Sequence, residues 1–247
     1  MTTKFEPYKK YVSAHFRDIN KHINLSYKKR FYVWKSYLEK FIPKDKNMQI
    51  LEVGCGMGHN LYSLSKLGFR NILGIDLSPE CIDFCKAKGF NVLLLAKNDN
   101  FYLQNSHKFD LVILYDVLEH YSPEDGADLL LKIRQVLKDD GRLIISVPNA
   151  DYPLNLKLAY SDITHKFIYN EISLSQLLKN CDFISSKFIQ MNSYTIYDKN
   201  LFKQIFKKYF LRLISFFGEL FWKIMGMSQG IFLKECKPTL ICISKKK

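Results

Sequence analysis

The chain has 247 residues, a formal net charge of +13 and 47 % hydrophobic residues, enough for one sizeable core. Its six cysteines, at positions 55, 81, 85, 181, 236 and 242, have no disulfide-framework spacing. The opening M-T-T-K-F-E-P-Y lacks the apolar core of a signal peptide, so a reduced, cytoplasmic setting is expected.

In chain order, Tyr8–Phe41 is helical in pattern and rich in aromatics. Ile50–Gly58, I-L-E-V-G-C-G-M-G, follows as a buried strand feeding a glycine turn at the head of a helix over His59–Leu67. The turn suits a nucleotide-like cofactor. It is not the dinucleotide spacing G-x-G-x-x-G, because the third glycine falls one place early and His59 stands where the last glycine belongs. A second strand, Asn71–Asp76, ends in an acid placed to accept ribose hydroxyls. Ser78-Pro79-Glu80 reads as the cap and first turn of a helix over Pro79–Lys88. A third strand spans Asn91–Ala96. A fourth lies within Phe109–Tyr121, F-D-L-V-I-L-Y-D-V-L-E-H-Y, before a short turn carrying Glu119 and His120. Ser122 caps a helix over Glu124–Leu137 that Gly141 is expected to close, and Arg142–Val147 is a fifth strand. This alternation predicts an α/β chain with a mostly parallel, doubly wound sheet.

The ordered motifs L-E-V-G-C-G-M-G, G-I-D-L-S, F-D-L-V-I-L-Y-D-V-L-E-H and D-G-R-L-I-I-S-V-P-N resemble the ubiquinone-biosynthesis-type class I S-adenosylmethionine methyltransferases over roughly residues 49–149. The overall pattern is also similar to methyltransferases from bacterial capsule and surface-polysaccharide gene clusters. The resemblance implies a Rossmann-like seven-stranded sheet whose last strand, Thr239–Ser244, is antiparallel. It implies one domain: an N-terminal helical lid (1–47), a cofactor-binding core (48–150) and a substrate-side region (151–247). S-adenosylmethionine is the implied cofactor, leaving as S-adenosylhomocysteine.

By the same resemblance, Gly54, Gly56 and Gly58 lie along the methionine moiety, and Glu52 reaches its amino group through a backbone amide or water. Asp76 takes the ribose, Leu77 flanks the adenine, Asn98 with Asp99 meets the adenine amino group, and Tyr115 and Asp116 approach the transferred methyl. Tyr27 and Arg30 are the lid residues expected to touch the cofactor or an anionic acceptor. Asp162–Phe183 resembles a family segment in which a Thr-His pair precedes a helix.

A hydroxyl acceptor needs a base near neutrality. His165, in a polar loop after the fifth strand, is the first candidate, against the reading of a surface histidine. Glu119 and His120 are the second, against a scaffolding role. The histidines are scattered and no H-x-x-x-H or C-x-x-C pair occurs, so metal-free transfer is expected.

Leu201–Met227 is nearly all apolar apart from a narrow stripe of charge, and no uninterrupted run is long enough to span a bilayer. It reads as a lid or homodimer helix, with peripheral contact to the inner membrane surface as the sharper alternative. The expected activity is O-methylation of a small polar acceptor, a sugar or phosphorylated precursor of surface polysaccharide. The alternatives are tRNA or rRNA methylation, quinone or lipid methylation, and a non-catalytic cofactor-binding subunit. Clustered basic residues with interleaved aromatics invite a nucleic-acid partner, but no recognition domain is appended.

Overall fold

The computed structural model describes residues 19–95, 100–152, 155–191, 200–228 and 237–247. Its frame is a seven-stranded sheet: β1 (Gln49–Val53), β2 (Asn71–Asp76), β3 (Val92–Leu94), β4 (Phe109–Tyr115), β5 (Leu137–Pro148), β6 (Phe183–Met191) and β7 (Thr239–Lys246), in the order β3-β2-β1-β4-β5-β7-β6. Strands β1 to β5 pair in parallel, and β7 runs antiparallel between β5 and β6. The sheet is the predicted Rossmann-like one, antiparallel last strand included.

The strands are continuous apolar runs because both faces are covered. Successive side chains alternate between two cores. Leu51, Val53, Val112, Leu114, Leu143 and Ile145 enter one, beneath α5 (Pro123–Val136) and α7 (Glu171–Asn180). Ile50, Leu111, Ile113 and Ile144 enter the other, beneath α2 (His59–Lys66) and the π-helical turn Trp34–Leu38 and 3-10 turn Glu39–Phe41 that follow α1 (Ile19–Val33). The remaining helices are α3 (Pro79–Ala87), α4 (Phe101–Gln104), α6 (Asn155–Ser161) and α8 (Leu201–Ser228).

Local signals place most boundaries. Ser78 and Ser122 each cap a helix, accepting from the amides of Cys81 (3.4 Å) and Asp125 (3.1 Å), with proline in the first turn. Gly141 is a correction. The helix already ends at Val136, and β5 begins at Leu137, opposite Phe109, with an irregularity before Leu111 pairs with Arg142. Strand pairing, a long-range interaction, overrides the glycine stop signal there. Strand order reverses between β1 and β4, and at this switch point the carboxyl ends of the strands open a crevice.

Candidate functional site

The crevice is a cavity of about 250 Å³ walled by the ends of β1, β2 and β4 and roofed by α1. Among the described residues its lining includes Arg30, Glu52, Gly54, Gly56, Asp76, Leu77, Tyr115, Asp116 and His120, so the fold gathers nine of the sequence-predicted residues around one space. Asn98 and Asp99 lie outside the described residues.

The glycine turn is built by three left-handed residues, Gly54 (φ +70°), Gly56 (+50°) and Gly58 (+76°). They serve different neighbours. A Cβ on Gly54 would lie 2.5 Å from Val117 Cγ2, so the glycine lets β4's following turn close on β1's. A Cβ on Gly56 would meet nothing within 4 Å, because that residue faces the cavity. Gly58 is not a lining residue: its Cβ would strike the Phe90 ring at 2.8 Å. Gly58 therefore has a packing reason to be glycine that is independent of any ligand.

Asp76 braces the same turn. Its two carboxylate oxygens accept from the amides of Gly56 and Ser78, each at 2.8 Å. Burial raises its pKa, against the lowering effect of those amides. Both oxygens keep lone-pair capacity for a ligand hydroxyl.

Glu52 lies beneath the turn, 1 % exposed. Asn60 donates to its Oε1 at 2.6 Å, and Trp34 Nε1 donates to Asn60 Oδ1 at 2.8 Å. Oε2 has no partner among the described residues. Burial, only partly offset by the Asn60 hydrogen bond and the Arg30 charge, pushes its pKa from 4.5 up to about 8. Sequence reasoning named Glu52 and missed Trp34 and Asn60. Asn60 in the first turn of an otherwise apolar helix face was the available signal.

From α1, Arg30 lays its guanidinium 3.9 Å from the centroid of the Tyr115 ring, placing a fixed cation beside Glu52 and Asp116. Tyr27, the other lid candidate, is packed between α1 and α2. It is buried, stacks on Tyr62 at 4.8 Å, and donates to the carbonyl of Met57, a lining residue, at 2.6 Å. The apolar side of α1 must pack on α2, and Tyr27 is on that side, as is Ser26, 2.8 Å from His59 Nε2. Burial and the nearby Arg30 lower the His59 pKa to about 4, so its ring is neutral at physiological pH.

Beyond β4, Asp116 takes a left-handed conformation (φ +55°) and is held by Ser146, whose hydroxyl donates to Oδ1 at 3.0 Å. The turn Leu118–His120 follows. His120 Nδ1 is 2.7 Å from Thr164 Oγ1, and Thr164 in turn donates to Asp162 Oδ1 at 2.5 Å. Since the threonine proton goes to the carboxylate, its oxygen accepts from His120 Nδ1–H, and the lone pair of the neutral ring is on Nε2. His165, the first-ranked base, is set behind His120 with ring centroids 4.8 Å apart, and is not a lining residue. Glu119 is 1 % exposed and its Oε2 has no partner among the described residues. Donor atoms of Glu119, His120 and His165 all lie within 4.8 Å of one another, a grouping able to hold a divalent cation. Spacing along the chain hid this cluster, because His165 arrives from a loop 45 residues away (165 − 120).

Two features fit a cofactor carrying an amino group and a ribose: the unpartnered Glu52 Oε2 and the open face of the turn at Gly56, next to Asp76. The comparisons agree. Residues 27–184, more than half of the chain, match the model of the methyltransferase domain family. The chain is 30 % identical over 171 residues to a tRNA U34 carboxymethyltransferase of Shewanella frigidimarina, covering 64 % of this chain and 51 % of that protein. It is 29 % identical over 118 residues to a mitochondrial ubiquinone biosynthesis O-methyltransferase of Candida albicans, covering 45 % and 36 %. The chain thus spans about half the length or less of the curated relatives it matches. A SAM-dependent methyltransferase of Archaeoglobus fulgidus shares the fold, with TM-score 0.62, 22 % identity and coverage of 91 % of this chain and 99 % of that one. The chain belongs to the methyltransferase domain family, built on a Rossmann-like sheet.

Proposed function

We propose that the chain methylates an oxygen of a small polar acceptor, with His120 as the general base. The observation that carries this reading is the Asp162–Thr164–His120 chain, which fixes a basic Nε2 on a ring at the cavity wall. S-adenosylmethionine supplies an electrophilic methyl on a sulfonium, so the protein's work is in-line positioning and removal of the acceptor proton. Gly54 and Gly56 would lie along the methionine part, Glu52 would face its ammonium group, and Asp76 and Leu77 would hold the ribose and adenine. Tyr115 and Asp116 would border the methyl. Arg30 would take the cofactor carboxylate or an anionic group of the acceptor. His120 would receive the hydroxyl proton, with His165 and Glu119 supporting it from behind.

Reading the acceptor as a sugar or phosphorylated precursor of surface polysaccharide rests on the sequence resemblance. Transfer of radiolabelled methyl into fractionated bacterial extract tests it. Label in sugars or phosphorylated compounds, free or released from lipid by mild acid, supports the reading. Label in RNA or quinone overturns it. His120→Ala should abolish incorporation while leaving cofactor binding intact.

A second use of the same cluster is a divalent ion that would bind acceptor oxygens, favoured by the buried, unpartnered Glu119 Oε2. Activity that is lost on chelation and restored by magnesium would select it over the base.

A further inference from the structure

No residue of the 28-residue helix α8 lines the cavity, yet the helix carries most of the exposed large hydrophobic side chains among the described residues. At 3.6 residues per turn, Phe206, Tyr209, Leu213, Phe217, Leu220 and Ile224 line one face, and each is between 44 and 65 % exposed. Patches of this size on a folded surface mark an interaction site. Basic residues border the face on both sides: Lys203 and Lys207 on one, Arg212 and Lys223 on the other. The helix holds five basic residues, Lys203, Lys207, Lys208, Arg212 and Lys223, against one acid, Glu219, a balance of 5 − 1 = +4.

Topology fixes where this helix is attached. Thr239, at the start of β7, pairs with both Pro148 at the end of β5 and Met191 at the end of β6. Met191 and Thr239, which flank the part of the chain that holds α8, therefore both lie at the carboxyl end of the parallel strands, the end that carries the cavity.

We propose that α8 is a docking helix that lies flat on an anionic lipid surface. An apolar face edged with cations matches a bilayer interface, where the aromatic and aliphatic side chains enter the acyl boundary and the lysine and arginine stems reach back to lipid phosphates. Charge argues against a second copy as the occupant: each helix is +4 and each chain +13, so two faces would repel while an anionic bilayer attracts. No helix among the described residues is long and apolar enough to cross a membrane. Docking would bring the cavity end of the sheet to the membrane surface, whichever acceptor the enzyme uses.

The test is flotation of the full chain with vesicles of mixed phosphatidylglycerol and phosphatidylcholine, and with vesicles of phosphatidylcholine alone. Binding should be about tenfold or more tighter to the anionic vesicles and should weaken with added salt. Leu213→Asp with Phe217→Asp should remove vesicle binding, and Lys203→Glu with Lys207→Glu and Arg212→Glu should remove the preference for anionic lipid, both with cofactor affinity unchanged. Absence of vesicle binding, equal binding to neutral vesicles, or a concentration-dependent dimer that shields α8 from vesicles would each overturn the proposal. Each leaves the methyl-transfer reading standing, since that is scored by label and cofactor affinity.

Discussion

His120 Nδ1 and Thr164 Oγ1 are 2.7 Å apart, joining the turn after β4 to the loop after α6 across 44 residues. Because Thr164 also donates to Asp162, its oxygen orients the imidazole and selects the tautomer. Thr164→Val should lower turnover on a hydroxyl acceptor by about ten- to a hundredfold. Cofactor affinity, read by calorimetry, should stay within error. Thr164→Ser should recover most of the rate, and a Val variant with full turnover would remove the orienting role.

Glu52 predicts a pH dependence. Its folded pKa is raised from 4.5 to about 8 by burial, so the folded state keeps a proton that the unfolded chain loses. The stability this contributes is complete below 4.5 and is lost as pH rises toward 8. The melting temperature of the cofactor-free protein should fall across that window, and Glu52→Gln should flatten part of the slope. If an ammonium group sits against Glu52, cofactor binding below pH 8 should release a proton, seen in calorimetry as a dependence on buffer ionisation enthalpy.

The glycine turn separates packing from binding. Gly54→Ala forces a methyl to 2.5 Å from Val117 Cγ2 in a left-handed backbone, and should cost about 1–3 kcal/mol in urea unfolding. Gly56→Ala meets no protein atom within 4 Å, so it should cost only the strain of its left-handed backbone, about 1 kcal/mol, while its methyl, in open space at the cavity, weakens cofactor binding. Equal loss of stability in the two variants would contradict this division.

Asp76→Ala removes the acceptor of the Gly56 and Ser78 amides as well as the ribose partner. Cofactor affinity should drop by about tenfold or more. Unchanged affinity would sink the ribose assignment.

Trp34→Phe keeps the aromatic volume but leaves Asn60 Oδ1 without its buried donor. A loss of about 1–3 kcal/mol is expected in denaturant unfolding. Cofactor affinity should fall too, since Asn60 positions Glu52. A variant as stable as the parent would show that water replaces the indole.

Local chemistry was readable along the chain. The apolar runs of β1, β2 and β4, the glycine turn, the Ser-Pro caps and the acid ending β2 are short-range signals, and they sufficed for the sheet, the cofactor half of the site and the family resemblance. Gly141 shows the boundary of such reading: a stop signal beside a helix lost to the pairing of Leu137 with Phe109. Distance in sequence hid the rest. His120 meets Thr164 and His165, Trp34 meets Asn60, and Arg30 meets Tyr115 only because chain segments far apart share one sheet end. The packing of Tyr27 on Tyr62 of α2, and of Gly58 against Phe90, is likewise set by contacts distant in sequence. Residue type and spacing determined what could bind; which side chains face the cavity, and which face of α8 stays open, was decided by packing, since burial is a property of the assembled fold.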